Sequence, residues 1–439
     1  MGWQTGSGIT RRQLLVGLMA GAVGLAGCGG RQPAATGTPG RGGRATGRRV
    51  TLRFSYLWTG PEAKALERLI AKFNESQDRI LVQGVSNPDT QKQLAQMSSS
   101  SGFDISDNFG SVVGSWASKG IIRPLDEYIQ GDKYDLSDFV PAALDNMKYE
   151  GRIYALPITV HTLLLLYNKQ LLQAAGLQDP PSTVSELATA IERLTKLDPK
   201  GNIQQLGLGL PSYLAFVYPF GGSWVNAQGE PWPDNPANVR AISFVVDHII
   251  KKYGVEAIKR FQSGFGEYAS PQNPFYVGKL AMTIDGEWQA QFIREYAPDL
   301  EWAAVPLPYL DGKPELKGST EISTSMFFIP SNSRHPEEAW EFLKYLVSRE
   351  AMLEFAYALA NLPARRSLLD NSKFGQIPGF KPWLESLRSP NLHFFPNAAW
   401  AAEYQTELTS AFDKINNLKA SPAEAMAEVA RKMRQRVRE

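Results

Sequence analysis

Glu287 and Trp288 stand between two readable segments. The apolar run Leu280–Ile284 reads as a buried strand, with Met282 and Ile284 on one face. Asp285-Gly286 breaks the run. The stretch Glu287–Tyr296 then carries Trp288, Phe292 and Tyr296 at helical spacing. The spacing puts a carboxylate and a large aromatic at a strand-to-helix corner, where open α/β folds hold ligands. A carboxylate there can accept from hydroxyl groups, and an indole face can cover an apolar surface. The same residues can also serve structure, Glu287 complementing a helix N-terminus and Trp288 filling core.

Other reactive constellations are missing from the sequence. It has no G-x-S-x-G, no H-E-x-x-H and no Walker A motif. His161, His248, His335 and His393 lie far apart, without metal-ligand spacing. Asp132, Asp135 and Asp138 recur every third residue, whereas a calcium loop needs alternate ligands, a Gly and a distal Glu. They read as a solvated turn. No cofactor or metal is expected.

The 439 residues suffice for two or three domains. The formal charge of +2 hides an asymmetry, because seven arginines and no acid precede Val50. Of 46 basic residues 39 remain from Val50 on, against 44 acids, so the body carries a net of −5. That balance argues against a nucleic-acid partner. Arg11-Arg12 precede an apolar stretch, Leu14–Ala26, of 13 residues, too short to span a bilayer and suited to a signal segment. Thr10–Leu15 resembles a twin-arginine signal with Leu14 where Phe is more usual, though an Arg pair also suits a Sec signal. Leu25-Ala26-Gly27-Cys28 resembles a bacterial lipobox, which implies lipidation of Cys28 and stable attachment to the membrane. Cys28 is the only cysteine, so no intramolecular disulfide can form. Gly29–Arg49 holds no apolar residue larger than Ala and reads as a tether. Its arginines can lie along anionic headgroups or simply be solvated.

The elements that must position a site follow from Val50 on. Val50–Trp58 alternates Leu52, Phe54, Tyr56 and Trp58 as a first strand. A helix starts at Pro61-Glu62, with Ala65, Leu66, Leu69, Ile70 and Phe73 on one face. Ile80–Val85 is a second strand and Thr90–Ser100 a weaker helix. Phe103–Ile105 begins a third strand, with Asp107-Asn108-Phe109-Gly110 as its loop. Pro157 separates a short strand from the apolar run Thr162–Tyr167, which reads as a strand buried on both faces. Thr183-Val184-Ser185-Glu186 is a capping box that opens a helix. Asn238–Tyr253, His335–Val347, Glu350–Leu359, Trp400–Leu418 and Ala423–Val437 read as helices. Leu300–Pro308 and Ile322–Ile329 read as strands. This alternation predicts an α/β fold with a mixed, mostly parallel sheet.

Taken in order, these pieces resemble the extracellular solute-binding proteins of sugar-importing ABC transporters, the maltose-binding-protein relatives. The matching stretches are FSYLWTGPEAKALERLIAKFNES, DISDNFGSVVGSWASKGIIRPLDEYI and YEGRIYALPITVHTLLLLYNKQLLQAAGL, then PPSTVSELATAIERLTK, FGGSWVNAQGE, VGKLAMTIDGEWQ and WAAVPLP, and finally HPEEAWEFLKYLVSREAM, NLPARRSL and SPAEAMAEVARKM. Val184 replaces a Trp that is usual there. The resemblance implies two α/β lobes, mostly parallel sheets flanked by helices, joined by three crossings near Thr159–Thr162, Lys317–Ile322 and Leu362–Arg365. Residues 1–28 would be the signal with its lipobox and 29–49 the tether. Lobe 1 would be 50–160 with 322–362, and lobe 2 would be 161–321 with 363–439. The family's ligand-facing loops fall on Trp58, Thr59, Asp107, Asn108, His161, Tyr213, Gly222, Trp224, Glu287, Trp288, Glu321, Arg365 and Trp400. Aromatic faces would cover the apolar side of a sugar ring while Asp107, Glu287 and Arg365 bond its hydroxyls. The implied protein is a monomeric, exported, lipid-anchored carbohydrate receptor that delivers to permease subunits and is no enzyme. The alternatives are a glycoside-cleaving enzyme using Asp107 and Glu287 as acid and base, or a receptor for a polyamine, metal complex or phosphorylated polyol.

Overall fold

The computed structural model describes residues 49–99 and 102–438. The signal segment, Cys28 with its lipobox, and the tether up to Arg48 lie outside the described residues.

β1 (Val50–Tyr56) buries Leu52, Phe54 and Tyr56 beneath α1 (Gly60–Ser76), whose Ala65, Leu66, Leu69, Ile70 and Phe73 form the facing stripe. Pro61 sits in the first turn of α1, where a missing N–H costs nothing. β2 (Ile80–Ser86) and β3 (Ile105–Phe109) flank β1, both parallel to it. α2 (Thr90–Met97) is capped by Asp89. Asp107 and Asn108, expected in a loop, belong to β3. They are held there by antiparallel pairing with a later strand, β8 (Thr320–Phe328). α3 (Val113–Ala117) follows one turn after β3.

β4 (Ala155–Asn168) organises the fold. It runs unbroken through Pro157, where two strands were expected. Proline lacks the ladder N–H, and β4 bulges beside it: Ser325 stands opposite Thr159 and Met326 opposite Pro157, so Ile158 is the extra residue. Residues 155–162 of β4 pair with β8, and residues 163–167 pair with β6 (Leu280–Gly286). β7 (Trp302–Val305) pairs with the end of β4 from 165 to 168. β5 (Ile203–Leu208) lies parallel to β6. The strand order is β2–β1–β3–β8–β4–β6–β5, closed by the short strand Lys196–Leu197. β2–β1–β3 and β6–β5 are parallel, while the middle and the closing strand Lys196–Leu197 pair antiparallel, so the sheet is mixed rather than mostly parallel. Parallel neighbours need a helical crossover, and extended passages such as β4 and β8 supply none.

α4 (Val184–Leu194) carries the expected capping box between Thr183 and Glu186 and packs on β5. α5 (Pro236–Val245) continues through a π turn at Val246–Ile250, and α6 (Val255–Ser263) follows. α7 (Gln289–Tyr296) leaves β6 with Trp288 at its N-cap, and Asp285-Gly286 extends the strand rather than ending it. α8 (Pro336–Leu346) and α9 (Arg349–Ala358) pack with α1 on the β1 side. α10 (Lys381–Ser386) joins the second half of β4, with Trp383 tilted on Trp302 at 6.0 Å. α11 (Ala401–Asn416) and α12 (Pro422–Arg438) pack together, and α12 also lies on α5. No helix among the described residues is long and apolar enough to cross a membrane.

Candidate functional site

Strand pairing delivers His161 and Glu287 to one point, although they are 126 residues apart. His161 lies where β4 passes from β8 to β6, and Glu287 follows the end of β6. His161 Nδ1 and Glu287 Oε1 stand 2.5 Å apart. On its other side, His161 Nε2 lies 3.1 Å from Ser325 Oγ on β8 and 3.4 Å from Thr159 Oγ1. Glu287 is fully buried, and its second oxygen, Oε2, has no hydrogen-bond partner among the described residues. Leaving a buried acceptor unsatisfied costs about 1–3 kcal/mol, so the arrangement favours an incoming hydroxyl or N–H donor.

Trp288 stands next to this pair. A Cβ at Gly286 would collide with its six-membered ring, so only glycine lets the indole lie over the end of β6. The ring meets His161 edge to face at 5.9 Å. Its Nε1 donates to Tyr268 Oη at 2.7 Å, Gln289 Nε2 donates to the same oxygen at 2.7 Å, and Tyr268 donates to Asp285 at 2.7 Å. Gln289 Oε1 accepts from Tyr276 at 2.6 Å. Burial pushes the Asp285 carboxyl up to about 6 and the Tyr268 phenol well above its ordinary value. Tyr268 is thereby fixed at its hydroxyl while 47% of the residue stays exposed. The two aromatics are thus joined edge to edge by a hydrogen bond, and the Tyr268 ring meets Phe292 edge to face at 6.2 Å.

Asp107 and Asn108 sit at the far end of β3. Asp107 accepts the Leu57 N–H at 2.8 Å and fastens the end of β1 to β3. Burial pushes its carboxyl up to about 8. Asn108 donates to Gln93, which in turn donates to Ser106 Oγ and the Asp107 carbonyl, each at 2.8 Å. Thr59 is exposed at the N-cap of α1 and makes no capping bond. Glu321 opens β8 in register with His393, on which Tyr218 stacks at 4.5 Å. Burial raises the Glu321 carboxyl to about 7 and lowers His393.

Several residues expected at a ligand face are committed elsewhere. Trp58 is buried against Phe355 at 5.0 Å and Phe327 at 5.9 Å, so its ring is lobe core. Trp224 is fully buried, donates to the Leu214 carbonyl at 2.9 Å and packs among Phe395, Tyr404 and Phe412. Tyr213 is buried and donates to Asn416 at 2.7 Å. Gly222 is needed for close approach, since a Cβ there would collide with Asn238 and the Val217 carbonyl. Arg365 lies over the Phe139 ring, donates to Val347 O at 2.8 Å and Tyr134 Oη at 2.8 Å, and pairs with Asp138 at 3.2 Å. That staple occupies every nitrogen of its guanidinium. Trp400 is half-buried at the N-cap of α11, with its ring on Tyr404 at 5.6 Å. Of the expected set, His161, Glu287 and Trp288 come together as one cluster. Tyr268, Asp285, Gln289 and Ser325 were missed. Tyr268 alone left a signal, an aromatic in a Gly- and Pro-rich loop with no apolar stripe to join.

Residues 59–353 match the family of bacterial extracellular solute-binding proteins, and the chain belongs to that family. Its fold is accordingly the α/β two-lobe fold of exported solute receptors. A maltotriose-binding protein of Pyrococcus abyssi is 25% identical over 275 residues, which cover 61% of this chain and 55% of that relative. The match therefore spans little more than half of the relative's length. A mannitol-binding protein of Pseudomonas aeruginosa is 25% identical over 284 residues, covering 62% of this chain and 63% of the relative. A solved structure described as CpMnBP1 with mannotriose bound superposes with a TM-score of 0.77 at 28% identity, over 88% of this chain and all of that one.

Proposed function

We propose that this protein is the receptor of an ABC importer for a carbohydrate, held outside the cell membrane by a lipidated Cys28. The observation that carries the sugar reading is the Glu287–His161–Trp288 cluster. A buried carboxylate oxygen lacking a donor stands beside an indole face, with Tyr268 presenting a second face. A sugar ring offers hydroxyl donors at its rim and an apolar C–H patch on its face, which is the matching surface. The maltotriose and mannotriose named for two relatives support the same class of solute. A polyamine would need several convergent carboxylates, and a phosphate ester would need clustered cations. The cluster offers neither.

The proposed lobes follow the two halves of the sheet, with β4 and β8 as crossings and Glu287 close to both. The third crossing, expected near Leu362–Arg365, is proposed to lie just past Ser367, a reading supported by the 2.9 Å bond from the Ser367 backbone N–H to Asp138 on the β1 side. Ligand closes such lobes because it touches both only when they are shut.

A thermal-shift screen tests the reading, since a ligand of the native state raises its melting temperature. The panel is mannotriose, maltotriose, monosaccharides, mannitol and spermidine. A rise with an oligosaccharide and no release of smaller sugars on incubation is expected. A rise with spermidine alone, or sugar cleavage, would refute it. A rise confined to mannitol would move the solute to acyclic polyols.

A further inference from the structure

Asn397 and Ala398 precede α11, which packs with α12 and the π turn after α5, on the β5 side of the sheet, and also meets α3 and the turn Gly110–Val112 on the other side. Both residues extend that second contact. Asn397 Nδ2 donates to the Asn146 carbonyl at 2.7 Å and to the Lys148 carbonyl at 3.2 Å. Asn146 Nδ2 reaches back to Asn397 Oδ1 at 3.5 Å. Beside these bonds, Gly114 on α3 lies so close to Asn397 and Ala398 that a Cβ would collide with their backbone. A Cβ at Gly110 would likewise collide with the Asn146 side chain. The contact lies just past Asp107 and Asn108, where the turn Gly110–Val112 leads from β3 into α3. Asn146 is buried, so its neighbours fix the receiving side of the contact.

We propose that Asn397 is a latch, a side chain on one lobe that clips two backbone carbonyls of the other and holds the receptor shut without ligand. The two glycines make the seat, since the segment can approach only where no side chain intervenes. The device rests on the two-lobe reading and not on the identity of the solute. A latch raises the closed population of the free protein. A ligand that selects the closed state then binds more tightly, by the ratio of closed fractions with and without the latch. All ligands gain by the same factor, because Asn397 acts on the lobes and not on the solute.

The test is made on ligand-free protein. Spin labels are placed at the exposed positions Gln91 on α2 and Gln262 on α6, with Cys28 replaced by Ser. The wild-type background should show a population at a short interlobe distance. Asn397→Ala removes the donor, and Gly114→Ala wedges the seat. Both should lose most of that population while far-ultraviolet dichroism stays unchanged. For Asn397→Ala, loss of two bonds to carbonyls and the long bond from Asn146 predicts a drop in the closed-to-open ratio of at least about tenfold. A third variant, Asn397→Gln, keeps the amide and should recover part of the short distance. The latch is overturned if all variants keep the wild-type distribution, or if the ligand-free wild type shows only the long distance. These outcomes do not depend on any sugar binding, so a failed sugar screen leaves them readable.

Discussion

Replacing Trp288 by Ala tests the aromatic face without dismantling what surrounds it. The indole is half-buried, rests on Gly286 and gives one hydrogen bond, to Tyr268. Tyr268 keeps its bonds to Asp285 and Gln289 when the indole goes, so its ring should stay in place. An aromatic contact is worth about 0.5–1.5 kcal/mol beyond its area. Uncovering one ring face adds on the order of 1–2 kcal/mol of lost burial. The sum, about 1.5–3.5 kcal/mol, predicts a dissociation constant for the sugar raised roughly 10- to 300-fold. Trp288→Phe keeps a smaller face but no N–H and should lose less. The assay is calorimetric titration with the sugar found by the screen, alongside the ligand-free melting curve of each variant. A large loss of affinity with a small change in ligand-free melting is expected. Unchanged affinity with a collapsed melting curve would place Trp288 in the core and refute the reasoning.

Arg365→Ala should act in the opposite way, costing about 2–4 kcal/mol of stability because it takes the donor from the Val347 carbonyl, one partner from Asp138 and the cation from the Phe139 ring, with sugar affinity in the surviving fold little changed. A normal melting curve with lost affinity would return Arg365 to the ligand. Asp107 should make stability fall with rising pH. Its folded value, up to about 8, exceeds the unfolded carboxylate value of about 3.9. Its contribution is therefore complete below pH ~4 and is lost as pH rises through about 8. Asp107→Asn should flatten that slope, and denaturant midpoints that fall as steeply as wild type between about pH 5 and 8 would count against it. Cys28→Ala should yield unlipidated protein, and a variant that still takes up an acyl label and stays on the membrane would end the lipobox proposal.

Much of the scaffold was legible because its signals are local. The stripe of Ala65, Leu66, Leu69, Ile70 and Phe73, the Thr183–Glu186 capping box and the apolar run before Asp285 each specify an element within a few residues. The corner at Glu287-Trp288 was legible for the same reason, since a strand and a helix meet there whatever the rest of the chain does. Pro157 misled because its cost is a missing ladder bond, and whether that bond is missed depends on a partner strand 169 residues away, at Met326.

The sequence by itself determined the elements, their order and the presence of aromatic and carboxylate groups suited to a solute. It could not sort those groups by task. Trp58, Trp224 and Trp288 have the same side chain and the same preference for leaving water. Two are enclosed by Phe355 and Phe412 and one stands at a strand end, and only the packed fold decides which. Arg365 looked free until Asp138, Tyr134 and the Val347 carbonyl took its donors. The pairing of His161 with Glu287 is likewise tertiary. Hydrogen bonding reaches about 3 Å, and nothing in residues so distant along the chain records that β4, β6 and β8 bring them within it.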